Sequence, residues 1–328
     1  MQADAVASAA DGPWSTESVS GFAVAPHLYG SYAHDHWAIG VTVNLPHVSR
    51  IQWPDDGPLR FESIESRPQF VRTTLFSAMK FGALSVALGP TLDAGKIYTR
   101  RATDHILEEG EVQLSLRGFG LGLHAAAAIQ LDPAWNIGIR YHSRVRMNTR
   151  GEIDFDVPLA FSAAYPDQSA EAVWALPDHL NIGVRWTQSK WSIAMELGFQ
   201  FWAIHQETTI TLPKSEPIVL TYDWRTSAVA KIGASTQVHP DLTIQIGSYV
   251  DGIPPAVPND TLGPASPDGA RIGVTTGLRW TPHAAFGLSA HYEGIHWLAR
   301  EAVGVNTPQA KYGGQAHMFG MSVAFLIP

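Results

Sequence analysis

The sequence predicts an all-β chain: an antiparallel transmembrane β-barrel of the bacterial outer-membrane type. Three observations predict it. Apolar residues recur at every second position over long stretches, short and long connections alternate, and tryptophans gather beside the short ones.

The alternation is clearest from Trp135 to Arg150. Trp135, Ile137, Ile139, Tyr141, Ser143, Val145 and Met147 fall on one face, and Asn136, Gly138, Arg140, His142, Arg144, Arg146, Asn148 and Arg150 on the other. The same division recurs in 37–44, 180–187, 191–201, 242–246, 272–280 and 319–327. A soluble sandwich also alternates, so length decides. Globular strands run to about 5–6 residues, whereas 135–156 and 191–212 stay extended far longer, as tilted membrane strands that project beyond a bilayer do.

In order, the chain gives thirteen candidate strands: 21–33, 37–48, 65–81, 84–103, 111–131, 135–156, 178–187, 191–212, 223–238, 242–251, 271–281, 286–303 and 314–327. Turns such as His34-Asp35-His36, Phe81-Gly82-Ala83 and Asp132-Pro133 close one end. Longer connections at 48–64, 104–110, 157–177, 213–222, 252–270 and 304–313 belong to the other. Of the eleven tryptophans, Trp37, Trp135, Trp186, Trp191 and Trp280 abut short turns, as an aromatic girdle on the periplasmic rim would. Residues 1–18 read as an irregular N-terminal extension and 19–328 as the barrel.

Composition narrows the class. Hydrophobic residues make up 45% of the chain, yet none of its apolar runs approaches the roughly 18 residues of a membrane helix. A net charge of −8 argues against a nucleic-acid partner. Without cysteine there are no disulfides, thiolate metal sites or cysteine nucleophiles, which suits passage through an oxidising periplasm. The start, MQADAVASAADGPWSTES, holds no secretory signal. For an exported protein it reads as a mature form, an engineered start or a shortened gene.

If the apolar face meets lipid, the other face lines a lumen. It would gather Arg140, Arg144, Arg146, Arg185, Glu196, Arg225, Lys231, Arg271, Arg279, His291 and Glu293. Most such charges should pair with one another. Arg140, Arg144 and Arg185 are the candidates for binding a ligand carboxylate through charge-assisted hydrogen bonds. His34-Asp35-His36 is a turn before it is a metal site, and no metal or cofactor is expected. A nucleophile elbow and a phosphate-cradling loop are both absent, so the chain reads as no enzyme. The proline-rich 253–267 reads as a stiff outer loop.

Several stretches resemble the FadL-type long-chain fatty acid and hydrocarbon transporter family. They are Trp37-Ala38-Ile39-Gly40-Val41 with Asn44-Leu45-Pro46; Ile139 to Val145; Leu176-Pro177-Asp178-His179-Leu180-Asn181-Ile182-Gly183; and Gly247 to Pro258 followed by Pro267-Asp268 and Arg271-Ile272-Gly273. The likeness runs from about residue 19 to the end. It implies a fourteen-stranded monomeric barrel in outer-membrane lipid, passing long-chain fatty acids, whose carboxylate Arg140, Arg144 or Arg185 would bind, or other hydrophobic molecules by passive diffusion. The chain differs from that family in three ways. It has no Asn-Pro-Ala plug motif or recognisable first strand, its 104–110 connection is short, and it ends Phe325-Leu326-Ile327-Pro328 without a terminal aromatic. A plugless or engineered barrel acting as an open pore is the first alternative, and a soluble all-β binding protein the second.

Overall fold

The computed structural model describes residues 2–9, 14–19, 21–105, 108–304 and 309–327. Parts of the 104–110 and 304–313 connections and the terminal Pro328 lie outside the described residues. Taking the short-turn end as the bottom, β1 (Gln2–Ala9) climbs, then β2 (Ser15–Glu17), β3 (Gly21–Phe22) and β4 (Leu28–His34) descend. β5 (Trp37–Val48) and β6 (Ile51–Gln52) climb, β7 (Glu65–Phe81) descends, β8 (Leu84–Asp104) climbs and β9 (Glu109–Gln130) descends. β10 (Trp135–His142) and β11 (Val145–Asp156) form one climbing pass, and β12 (Gln168–Leu176) and β13 (His179–Gln188) the next descent. β14 (Trp191–Gln200) and β15 (Glu207–Thr211) climb, and β16 (Ile218–Thr221) and β17 (Ser227–His239) descend. β18 (Leu242–Asp251), β19 (Arg271–His283), β20 (Phe286–Glu301) and β21 (Ala310–Phe325) complete an antiparallel meander.

These segments make fourteen passes, not thirteen. The expectation of an irregular 1–18 without a first strand fails at β1. Ala3 to Ala9 pair in register with Ala316 to Ala310 of β21, while β2 and β3 pair with β1 on its other side. β1 thereby joins the last pass to the second. Its short alternation, with Val6 exposed and Ala7 fully buried, is too brief to stand out from a run of alanines in the sequence. The long connections are also more ordered than expected: 157–177 contains β12 and 213–222 contains β16.

The lower half of the wall is apolar outside. Ile137, Ile139, Ile193, Leu197, Ile244, Val274 and Phe319 are all exposed on its outer face, as lipid contact requires. Higher up the pattern inverts. In β10 the odd positions face out, but in β11 Val145, Met147 and Thr149 are buried and Arg146, Asn148 and Arg150 exposed. Register locates the inversion: His142 pairs with His124 of β9, yet Asn148 pairs with Phe119, so one extra residue sits on the β10–β11 side. The partner pass slips with it, His142 facing His179 and Val145 facing Leu176 across the break. Asp178 holds the break together, accepting hydrogen bonds from the Tyr141 hydroxyl, the Arg144 amide at 3.0 Å and Arg144 Nε at 2.9 Å. Above it β11 crosses close to β9, where a Cβ on Gly120 would stand 2.5 Å from the Arg146 carbonyl. Above the lipid the outer medium is water, so the polar side turns outward and the apolar side fills the lumen.

The five girdle tryptophans share the lower rim: Trp135 faces Trp186 across one ladder, and Trp37, Trp191 and Trp280 flank neighbouring turns. At the opposite end the loops fold inward. Trp53, from 48–64, is wholly buried against Leu59, Val257, Leu262 and Tyr312, and its indole N–H donates to the Pro264 carbonyl at 3.0 Å. The proline-rich segment is therefore part of an apolar cap.

Ile139→Arg, in the lipid band, is expected to cost about 2–4 kcal/mol. Arg146→Leu, above it and outside the barrel, should change stability by no more than about 0.5 kcal/mol. Urea titration of the barrel folded into vesicles measures both, and equal losses would place the inversion elsewhere.

Candidate functional site: the lumen

The hairpin β7–β8 fixes the middle of the lumen. Gly82, at φ 59, allows the tight turn that pairs Phe81 with Leu84, and the same register brings Arg72 opposite Asp93. Arg72 Nε and Nη2 donate to the two Asp93 oxygens at 2.7 and 2.8 Å, with both side chains almost completely buried. Four inward histidines surround this bidentate pair. His124, His142 and His179 are register neighbours on β9, β10 and β13, and the His47 ring lies 5.4 Å from that of His179. Among the described residues, no group of three or more His, Cys, Asp or Glu side chains is disposed to hold a metal ion. His34 and Asp35 form an exposed contact of 3.2 Å in their turn.

Above this belt lies a cavity of about 1370 Å³ in the extracellular half. Leu114, Ile153, Phe155, Ile210, Leu212 and Trp224 give it apolar walls, continuous with the buried cluster that includes Met147 and Leu176. Polar groups line it as well, among them Arg100, which is bound to Asp55 and Glu111. Arg60 clips the neighbouring loop to Glu109 at 2.6 Å, and that hydrogen bond holds the Glu109 carboxyl below its ordinary range.

Below the belt lies a second cavity of about 1320 Å³, where charged and amide side chains stand among small and apolar residues. Here stand Arg140, Arg185, Arg279, Glu196, Lys231 and His291 from the expected lumen set. Lys231 pairs with Glu196 at 2.9 Å and Arg271 with Asp251 at 2.7 Å, while Tyr249 donates to Glu293 at 2.6 Å. Arg140, Arg185 and Arg279 have no ion-pair partner among the described residues.

Three expected lumen cations lie elsewhere. Arg144 sits in the break and spends its guanidinium on Asp178. Arg146 is turned outward by the extra residue beside it. Arg225 precedes β17 and takes no part in a ladder; its amide bonds the Ala256 carbonyl. The Arg72–Asp93 pair and the histidine belt escaped the sequence reading, although the Gly82 turn held the signal: counting outward from Phe81 and Leu84 brings residues 72 and 93 together.

A lipid-girdled antiparallel barrel with loops capping one end and two cavities in its lumen defines an outer-membrane channel. The chain belongs to the outer membrane protein transport family (OMPP1/FadL/TodX), whose model matches residues 3–325. It is 21% identical to the long-chain fatty acid transport protein of Salmonella typhi over 328 residues, covering 94% of this chain and 71% of that protein. A Pseudomonas aeruginosa FadL homologue superposes with a TM-score of 0.86 at 15% identity, over 99% of this chain and 88% of its own. The Pseudomonas putida toluene transporter TodX gives 0.73 at 13% identity, with the same coverage.

Two outcomes follow from these contacts. Arg72→Met should destabilise the barrel by about 3–5 kcal/mol by stranding Asp93, and Arg72→Met with Asp93→Leu should recover most of that loss in the same unfolding assay. The Glu109 clip has a depressed folded pKa, so its contribution is complete above about pH 4.5 and is lost as pH falls through the lower folded value. Hydrogen exchange of 53–64, corrected for intrinsic rates, should quicken below that pH in the native chain. Arg60→Gln should abolish the change.

Proposed function

We propose that this barrel lets hydrophobic small molecules, long-chain fatty acids or hydrocarbons, cross the outer membrane by passive diffusion. The observation behind this reading is the apolar cavity at the extracellular end, large enough for an alkyl chain or an aromatic ring and walled by Leu114, Phe155 and Ile210. Transfer of apolar surface from water into it is favourable by roughly 25 cal/mol per Å². No energy source is needed, since uptake follows the gradient maintained by consumption inside the cell. The relatives named for fatty acid and toluene transport support this substrate class. Oxyanion-terminated cargo would next meet Arg140 and Arg185 in the lower cavity; Arg144, bound to Asp178, drops from the candidate set.

Leu114→Asp with Phe155→Asp should lower uptake of labelled oleate or toluene by cells carrying the barrel at least about tenfold, because an unpaired carboxylate in the cavity costs more than 1.4 kcal/mol. An uncoupler should leave the initial rate unchanged. Uptake that collapses with the proton gradient, or is indifferent to both substitutions, contradicts the reading.

A further inference from the structure

The lower cavity has a floor with internal symmetry. Asn136-Ile137-Gly138-Ile139-Arg140 on β10 and Asn181-Ile182-Gly183-Val184-Arg185 on β13 are near-copies. The two strands run antiparallel, and their register places Asn136 beside Arg185, Gly138 beside Gly183 and Arg140 beside Asn181. The inward set is thus a rectangle related to itself by a local twofold axis. Arginines occupy one diagonal, asparagines the other, and a glycine pair lies at the centre. All six residues line the same cavity.

We propose that this rectangle is an oxyanion cradle that takes a carboxylate or a similar tetrahedral or planar oxyanion over the glycine pair. Residues two apart on a strand are separated by about 6.6–6.8 Å, a distance an arginine side chain spans, so both guanidinium groups can reach the centre from opposite corners. The glycines keep the floor low: a Cβ on Gly138 would stand in ordinary contact, 3.7 Å from the Ala127 carbonyl oxygen, and one on Gly183 would come within 3.3 Å of the Met195 carbonyl oxygen. The carboxylate closest in register is Glu196, opposite Gly183. It is occupied, accepting from Lys231 Nζ at 2.9 Å and Asn181 Nδ2 at 3.1 Å. Arg140 and Arg185 remain free of carboxylates, and paired guanidinium groups are the side chains best shaped to bind an oxyanion with parallel N–H donors. The outward residues of both copies, Ile137, Ile139, Ile182 and Val184, serve the lipid face; the repeat on the inward face has no such duty.

The assignment to an amphiphile's head group rests on the proposed transport of hydrophobic cargo, whereas binding of a free oxyanion does not. Equilibrium dialysis of the detergent-solubilised barrel against dodecanoate, dodecanol and sulfate separates the two. Native protein should bind dodecanoate at least about tenfold more tightly than dodecanol, the equivalent of one charge-assisted hydrogen-bonded pair. Arg140→Gln with Arg185→Gln should erase that preference and leave dodecanol binding unchanged. Gly138→Val, which keeps both charges and fills the floor, should weaken dodecanoate as well, and it serves if the double variant misfolds. Sulfate that competes with dodecanoate makes this a general oxyanion site, and sulfate that fails to compete restricts it to amphiphile heads. A preference absent in the native protein, or surviving both variants, overturns the cradle. Loss of dodecanol binding alone would instead count against the transport of hydrophobic cargo.

Discussion

Every pass of this barrel crosses from one solvent to another, and that change of medium along a single strand governs the rest of the architecture. In the lower half the outer solvent is hydrocarbon and the lumen can be wet, so apolar residues point out and arginines point in. In the upper half the outer solvent is water, so Met147, Leu116 and Leu176 point in and Arg146, Arg150 and Glu171 point out. A strict two-residue period cannot serve both halves of β10–β11. The inserted residue at 143–144, matched at 177–178 and held by Asp178, resolves the conflict in that hairpin. On β9 the period continues unbroken. There the sequence itself changes from Leu114 and Leu116 inside to Phe119, Leu121 and Leu123 outside, with inward glycines between.

The inversion also divides the lumen by chemistry. Because apolar side chains turn inward above the break, leucines and isoleucines wall the upper cavity while Arg140, Arg185 and Arg279 stand in the lower one, with Arg72, Asp93 and the four histidines at the level where they meet. A buried ion pair is a weak source of stability, since desolvation offsets most of its attraction. Its value here is geometric: a bidentate contact fixes β7 against β8 at the level where the two cavities adjoin.

Most of the wall was legible from residue pattern. The bounds of β5, β7 and β18 coincide with the expected segments, because each has an uninterrupted alternation between unambiguous turns. Misreadings arose where local pattern and solvent disagree. Arg146 looked like a continuation of the Arg140 and Arg144 face because one extra residue leaves no mark in an alternating sequence. β1 was missed because alanines alternate with little contrast, and its identity depends on pairing with residues some three hundred positions away. Arg140 and Arg185 were correctly placed on the lumen face, but their relation to each other needed the register. The capping role of Trp53 and Pro264 could not be read locally, since each needs the other to be buried.

The paired slip at 143–144 and 177–178 also constrains how such a chain can diverge. Removing one residue from the first segment alone would turn the arginines of β11 into the lumen and its methionine and valine into water, all in a single mutational step. The same holds for the second segment and β12. Only a matched change in both keeps the hairpin intact, so the lengths of these two segments are coupled. Substitutions around them leave the facing of the hairpin unchanged, while an insertion or deletion in one segment needs its match in the other.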